Sequence, residues 1–232
     1  MRSSPSYYQL VASLPHLPRL REAERLPINA ARLQERLRLL RPEDAEVVAR
    51  FRRVLQWQDH PPVEADAEIS RQYRELLGGI TRPPLRRCIE FRAELRTVVA
   101  ALRRRNRGEI APPSDPDWGL GDRAAHITRH WTHPDFRLAH VFPWIPEIRR
   151  LLEQEESLAL EERLMNLVWD SADRLSLGIY FELETVVAFL IKWDILRRWL
   201  SYEREPAKAE FARLAEEMFA DLDESSRTAS AP

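Results

Sequence analysis

The apolar side chains between residues 84 and 107 recur in steps of three and four. They are Cys88, Phe91, Leu95, Val98 and Leu102. This spacing places all of them on one side of an α-helix, as in a coiled-coil seam of two heptads. Pro84 suits the first turn of such a helix, and Gly108 suits its end. The sequence therefore predicts one long helix here, whose apolar side must be buried.

Similar helical segments, separated by prolines and glycines, follow one another along the chain. The predicted helices are 30–40, one from Pro42 that ends before His60, 65–77, 84–107, 122–131, 145–155, 158–175, 181–202 and 206–222. Residues 6–15 form a short apolar segment that could be a strand or a brief helix. Because strands and helices do not alternate, the predicted fold class is all-α: a multi-helix bundle, elongated or funnel-like, with mostly antiparallel helices.

Charge is distributed unevenly, although the formal net charge is only −1. Residues 1–107 contain 22 Lys and Arg against 13 Asp and Glu, whereas residues 108–232 contain 14 against 24. Two explanations are open: two faces with different electrostatic partners, or two parts that attract each other. We predict a basic helical part over 1–107, a linker over 108–121 rich in glycine and proline, an acidic helical part over 122–224, and a disordered tail over 225–232.

The helix predicted over 181–202 is apolar on most of its sides, which is typical of a centrally buried helix. Its longest uncharged stretch, 185–191, is far shorter than the roughly 20 residues needed to cross a bilayer. We therefore expect no direct membrane span.

Glycine is scarce, with 6 in 232 residues, which counts against a glycine-rich phosphate site. Gly119–Ala124 matches G-x-G-x-x-A by letter, but no predicted strand or βαβ unit surrounds it. We expect no cofactor. The single cysteine, Cys88, excludes an internal disulfide and a thiolate metal site, and is most simply a core residue.

A histidine group offers the only candidate metal ligands. Asp122, His126 and His130 are spaced by four, so they share one face of a helix, and His133 follows. The alternative, which we prefer, is an N-cap aspartate with histidines packed near Trp131. No motif for a catalytic nucleophile is present, and we predict that the chain is not an enzyme.

Three segments resemble an uncharacterised bacterial family associated with V-type ATPase operons. They are Tyr7–Pro15 (YYQLVASLP), Pro84–Arg96 (PLRRCIEFRAELR) and Phe181–Trp199 (FELETVVAFLIKWDILRRW). In those operons the family stands in for the C subunit, which is the counterpart of the vacuolar d subunit. The resemblance implies an all-helical, funnel-like, non-catalytic component on the cytoplasmic face of the inner membrane. Such a component is attached peripherally through the complex and couples the central rotor shaft to the proteolipid ring.

The partners expected from this resemblance are the central-stalk subunits and the proteolipid ring. Arg103, Arg104 and Arg105 are candidates for one interface, because guanidinium groups pair well with carboxylates. Glu153, Glu155 and Glu156 are candidates for the other. Arginines at 103–107 could also contact phosphates, but the chain is not strongly basic, and we expect no nucleic acid partner. The alternatives are a free-standing helical protein-binding module or regulator and, less favoured, a metal-dependent enzyme.

Overall fold

The computed structural model describes residues 7–55, 66–115 and 118–202. The predicted helix 206–222 and the predicted tail 225–232 lie outside these ranges. The helices are α1 (Tyr8–Ser13), α2 (Ala30–Leu37), α3 (Pro42–Leu55), α4 (Asp66–Gly79), α5 (Pro83–Asn106), α6 (Ala124–Arg129), α7 (Ile145–Glu153), α8 (Ser157–Ser176) and α9 (183–202), with a short 3-10 helix at Leu20–Glu22. No strand occurs in the described ranges, and the predicted all-α class is confirmed.

The starts of the early helices follow local sequence signals. The side chain of Asn29 accepts a hydrogen bond from the Arg32 N–H at 2.9 Å, which caps α2. Pro42 begins α3, with Glu43 and Asp44 in the first turn, where carboxylates favour the positive end of the helix dipole. The ambiguous segment 6–15 contains the short helix α1.

Helix α5 lies at the centre of the described fold. All members of the predicted seam are buried except Phe91, which is half-buried. The other sides of the helix are covered as well, and no residue from Cys88 to Arg105 is exposed. Helices α3, α6, α7 and α8 pack around it. The sequence predicted burial of the seam, and the structure also covers the side opposite to it.

Helix α9 is buried along most of its length, as predicted. Only Arg197 and Ser201 are exposed between residues 183 and 202. The Trp193 indole N–H donates to the Ile28 carbonyl at 2.8 Å, so α9 is fixed against the segment that leads into α2. The helix therefore joins the amino-terminal segments to the rest of the core.

Helices α5 and α8 run antiparallel. Arg103, near the end of α5, pairs with Glu161, near the start of α8, at 3.3 Å. At the opposite end, Cys88 of α5 and Ser171 of α8 line the same small cavity. A helix of 20 residues is about 30 Å long, so the ends of α8 are separated by about that distance.

The buried side chains form one cluster that extends from Tyr7 to Leu200. The predicted basic and acidic parts therefore share a single core, and 108–121 connects two regions of it. Several arginines of the first part pair with acids of the second. These pairs are Arg19–Asp173, Arg21–Glu162, Arg52–Asp194, Arg82–Glu184 and Arg103–Glu161. Of the two explanations for the uneven charge, the structure favours mutual attraction.

Candidate functional site

The predicted arginine cluster is half-buried at the end of α5. Arg103 binds Glu161 at 3.3 Å, and the other oxygen of that carboxylate accepts from Arg198 of α9 at 2.7 Å. Arg104 pairs with Glu109 at 3.2 Å. These guanidinium groups join α5 to α8, to α9 and to the segment after α5. Their contacts in the structure are within the chain.

Arg105 also binds its own chain. It donates to the backbone carbonyls of His133 at 2.6 Å and Pro134 at 3.3 Å. Its guanidinium lies 5.3 Å from the centroid of the Phe136 ring, within the range of a cation–π contact. Arg105 thus holds the irregular segment after α6 against the end of α5.

The three predicted acids form an exposed turn between α7 and α8, which we call the acidic turn (Glu153, Glu155 and Glu156). Glu153 pairs with Arg149 at 3.5 Å and Glu156 with Arg150 at 3.4 Å, and both pairs are open to solvent. Exposed pairs of this kind contribute little to stability. The acidic turn is therefore accessible to a partner.

The acidic turn and the arginine cluster lie at the same end of the molecule. The Asn106 side-chain amide, next to the cluster, donates to the Leu152 carbonyl, next to the turn, at 3.2 Å. From the sequence, we expected the two groups to lie at different interfaces. The structure brings them together because α5 ends where α7 ends and α8 begins.

The opposite end of α8 carries exposed apolar and aromatic side chains, which no pattern in the sequence indicated. Leu177 is 80% exposed, Tyr180 is 71% exposed and Tyr8 is 61% exposed. The Tyr8 ring packs against Phe181, with ring centroids 4.4 Å apart, which brings α1 to this end. We call Tyr8, Leu177 and Tyr180 the aromatic end. Exposed apolar patches often mark interaction sites, so this end is a candidate for a second contact.

Two of the predicted metal ligands use their ring nitrogens in backbone contacts. His126 Nε2 donates to the Phe136 carbonyl at 3.0 Å, and His130 Nδ1 donates to the His126 carbonyl at 2.9 Å. The two rings stack with centroids 4.2 Å apart. Partial desolvation, with a smaller contribution from His130, lowers the pKa of His126. The two rings thus pack on each other and bond to the backbone of their own chain.

The remaining two candidates lie elsewhere. His133 pairs with Asp135, and Asp122 lines a cavity beside Tyr73. The predicted N-cap role of Asp122 is not observed, because α6 begins at Ala124 and Arg123 precedes it without a side-chain cap. Within residues 7–55, 66–115 and 118–202, no group of three or more His, Cys, Asp or Glu side chains could hold a metal ion.

The two glycines of the G-x-G-x-x-A match have a packing role. A Cβ at Gly119 would lie 2.6 Å from the Thr97 methyl group of α5. Gly121 has φ +79°, and its Cβ would lie 3.3 Å from Glu94 Cγ. Both glycines let the loop approach α5 closely, which a larger residue would prevent.

The described part of the chain is thus an all-helical protein with one core and exposed surfaces of different chemistry at the two ends of α8. A sequence profile of DUF2764, described as a protein of unknown function, matches residues 51–222. Because this match covers more than half of the chain, the protein belongs to the DUF2764 family. Comparison with curated proteins and with solved structures found no significant match. Among the described helices, none is both long and apolar enough to cross a membrane.

Proposed function

We propose that this protein is a non-catalytic component of a bacterial V-type ATPase that couples the central rotor shaft to the membrane proteolipid ring. The structural observation that carries the proposal is the separation of the acidic turn and the aromatic end by the length of α8, about 30 Å. A coupling protein needs two such contact regions on one rigid support. The resemblance of Tyr7–Pro15, Pro84–Arg96 and Phe181–Trp199 to a family of V-type ATPase operons supplies the identity of the complex.

The support between the two regions is built for stiffness. Helices α5 and α8 pack directly against each other, and Leu95, Val98 and Ala172 are fully buried in the core. Close-packed interiors have low compressibility and transmit strain. A load applied at one end of the pair would therefore reach the other end with little deformation.

The chemistry of the two ends suits two different partners. The acidic turn fits a basic surface, whose charges would steer its approach and fix its orientation. The aromatic end offers tyrosine and leucine side chains, and tyrosine is enriched in the cores of protein interfaces. We assign the acidic turn to the rotor shaft and the aromatic end to the proteolipid ring. The protein would then lie on the cytoplasmic face of the inner membrane, attached through the complex.

Affinity purification from mildly solubilised membranes tests the proposal. A tagged full-length chain is expected to recover central-stalk and proteolipid subunits of a V-type ATPase, identified by mass spectrometry. Deletion of the gene is expected to abolish ion transport coupled to ATP hydrolysis. Recovery of the chain alone from cells that contain the complex would contradict the proposal. Recovery of unrelated partners would favour the free-standing binding module.

Variants at each end separate the two contacts. The pair Leu177→Asp and Tyr180→Asp is expected to release the proteolipid ring and retain the shaft. The pair Glu153→Lys and Glu156→Lys is expected to have the opposite effect. Because these side chains are exposed, each double variant should unfold within about 3 °C of the unchanged chain. Glu35→Lys, an exposed change on α2, serves as the control and should retain both partners.

A further inference from the structure

A cavity of about 170 Å³ lies where the start of α5 meets the end of α8. Its lining residues are Pro84, Arg87, Cys88 and Phe91 from α5, and Ser171, Arg174 and Leu175 from α8. Two of these side chains, Arg87 and Arg174, carry a positive charge, and none of the lining residues is an acid. The cavity therefore has a positively charged rim.

The two arginines at the rim are exposed, and neither forms an ion pair in the part of the chain that the structure describes. The Arg174 guanidinium lies 5.5 Å from the centroid of the Phe91 ring, a cation–π contact that keeps it at the cavity. Burial raises the pKa of the Cys88 thiol, and the two charges that act on this thiol, Arg92 and Arg174, are positive and oppose the rise. The cavity thus suits an anion.

The acids next to these two arginines on their own helices have other partners. Glu90 of α5 pairs with Arg86 at 2.9 Å. Asp173 of α8 pairs with Arg19 at 3.3 Å and with Lys192. The two guanidinium groups at the rim are therefore left to interact with a partner outside the chain.

The aromatic end lies beside this cavity. Leu175, which lines the cavity, precedes Leu177 by two residues. The start of α5 is joined to the segment after α8 by Arg82, whose guanidinium binds Glu182 at 3.3 Å, and Tyr180 lies two residues before Glu182. Exposed apolar and aromatic side chains thus occur next to guanidinium groups that have no acidic partner.

We propose that this end of the molecule docks on the headgroups of an anionic phospholipid bilayer. A guanidinium forms two parallel hydrogen bonds with a phosphate, and Arg87 and Arg174 supply two such groups. Tyrosine is enriched at the boundary between the headgroups and the acyl chains, where Tyr8 and Tyr180 would lie together with Leu177. Contact with lipid requires no ATPase subunit and thus goes beyond the coupling role.

The presence of both kinds of side chain favours a lipid surface over a soluble anion. A free phosphate would bind the guanidinium groups and leave Leu177 and Tyr180 in water. A bilayer accepts both, because its phosphates meet the arginines and its acyl boundary meets the apolar groups. Binding should then depend on anionic lipid and on salt, since the attraction of arginines to a charged surface is screened.

Flotation of the purified full-length chain with vesicles tests the docking. Vesicles of equal parts phosphatidylcholine and phosphatidylglycerol are expected to bind the chain at least about 10-fold more strongly than vesicles of phosphatidylcholine alone. An increase in sodium chloride from about 0.1 M to about 1 M, which shortens the Debye length from about 10 Å to about 3 Å, should remove most of this difference. Equal binding to both vesicles, or binding to neither, overturns the proposal.

Arginine variants connect the binding to the cavity. Arg87→Gln combined with Arg174→Gln is expected to weaken binding about 30-fold, since each arginine near an anionic surface contributes roughly a factor of five. The matched control is Arg129→Gln combined with Arg137→Gln, which flank the segment bound by Arg105 at the other end of α5. Both control residues are exposed and form no ion pair within the described ranges. Equal binding by the two double variants would contradict the assignment.

Apolar variants test the contribution of the aromatic end. Leu177→Ser combined with Tyr180→Ser is expected to weaken binding at least about 10-fold, because these side chains would leave water on docking. Ile110→Ser combined with Leu158→Ser changes side chains that are 92% and 63% exposed outside the aromatic end, and should leave binding unchanged. Circular dichroism establishes that each variant is folded. Binding that does not change in either variant would overturn the proposal.

Inorganic phosphate separates a lipid headgroup from a soluble anion. Thermal unfolding is measured in phosphate and in sodium chloride at matched ionic strength. If phosphate raises the Tm of the unchanged chain but not of the double arginine variant, and no vesicle is bound, the cavity takes a soluble anion and the docking is overturned. Because the vesicles contain no ATPase subunit, this result is independent of what affinity purification recovers.

Discussion

At the scale of single residues, the structure depends on side chains that satisfy groups far away in sequence. Arg103 and Glu161 are separated by 58 positions, and Trp193 and Ile28 by 165. A sequence shows that an arginine is charged but not which carboxylate it meets. This is why Arg103, Arg104 and Arg105 could be singled out from the sequence, while their use within the chain could not.

The hydrogen bonds of Thr97 to a distant backbone segment lead to a testable prediction. Its hydroxyl donates to the Leu120 carbonyl at 2.8 Å and accepts from the Leu120 N–H at 2.7 Å, and its side chain is 1% exposed. Thr97→Val keeps the shape but leaves both backbone groups buried and unpaired. We expect a loss of about 2–3 kcal/mol in the free energy of unfolding, measured with urea. Thr185→Val, which loses one half-buried bond to Ile179, should cost about 1 kcal/mol. Equal losses would contradict this account.

Tyr7 predicts a dependence of stability on high pH. Burial and its hydrogen bond to Asp44 raise its pKa to about 12, whereas an unfolded tyrosine titrates near 10. The folded state therefore keeps this proton where the unfolded state loses it. The stabilisation that comes from this raised pKa is fully present below pH 10. It is lost as pH rises towards 12, which lowers the free energy of unfolding by about 2 kcal/mol. Between pH 9 and 12, the free energy of unfolding, measured with urea, should fall less in Tyr7→Phe than in the unchanged chain. If it falls equally in both, Tyr7 is not the cause of the pH dependence.

At the scale of elements, helix ends could be predicted closely because their signals are local. Asn29, Pro42 and the glycine after α5 act on their own turn of helix. The burial of a helix could be predicted less well. Helix α9 is apolar on most sides and is buried as expected, but α5 carries charged residues and is nevertheless covered on all sides from Cys88 to Arg105. Its neighbours decide this coverage, and their positions are not encoded in its own periodicity.

The approach of the 118–124 loop to α5 can be tested at Gly119. Gly119→Ala would place a methyl group 2.6 Å from Thr97 Cγ2, so Thr97 or the loop must move. We expect a loss of about 1–3 kcal/mol, measured by urea unfolding. Gly79→Ala, at the end of α4 with no atom within 4 Å of its Cβ, should be neutral or stabilising by about 0.5 kcal/mol. Tolerance of both changes would show that the loop does not need this close approach.

At the scale of the whole molecule, the uneven charge distribution allows the basic part of the chain to form ion pairs with the acidic part. Arg82, before α5, binds the carboxylate of Glu184, at the start of α9, at 3.1 Å and that of Glu182, just before α9, at 3.3 Å. Glu184 is only 3% exposed, so Arg82 is a close positive partner for a carboxylate that is buried. The net charge of the chain conceals such pairs, because it averages a basic part and an acidic part that bind each other.

Removal of Arg82 should therefore be costly. Arg82→Ala leaves the Glu184 carboxylate buried without its partner, and we expect a loss of about 3 kcal/mol in the free energy of unfolding. Arg50→Ala removes an exposed pair with Glu46 within α3 and should cost about 0.5 kcal/mol or less. Chemical denaturation of the two variants in parallel compares their losses in the free energy of unfolding. A small, equal effect would mean that Glu184 finds another partner.

The shared core predicts cooperative unfolding. Because one buried cluster spans the predicted basic and acidic parts, urea unfolding should give a single transition by fluorescence and circular dichroism. The fragment 1–107 alone should not fold, since α5 would lose its contacts with α7 and α8. Two separate transitions, or a folded fragment, would instead show that 108–121 is a linker between independent domains.

The all-α class and most helix boundaries could be predicted from the sequence, because they follow from local periodicity, capping and backbone preference. The packing of the helices was needed to show that α5 is the central helix and that the arginine cluster lies beside the acidic turn. The same packing brought Arg87 of α5 and Arg174 of α8 to one cavity. Those arrangements depend on packing and electrostatic contacts between residues far apart in sequence, which are fixed when the helices assemble around one core.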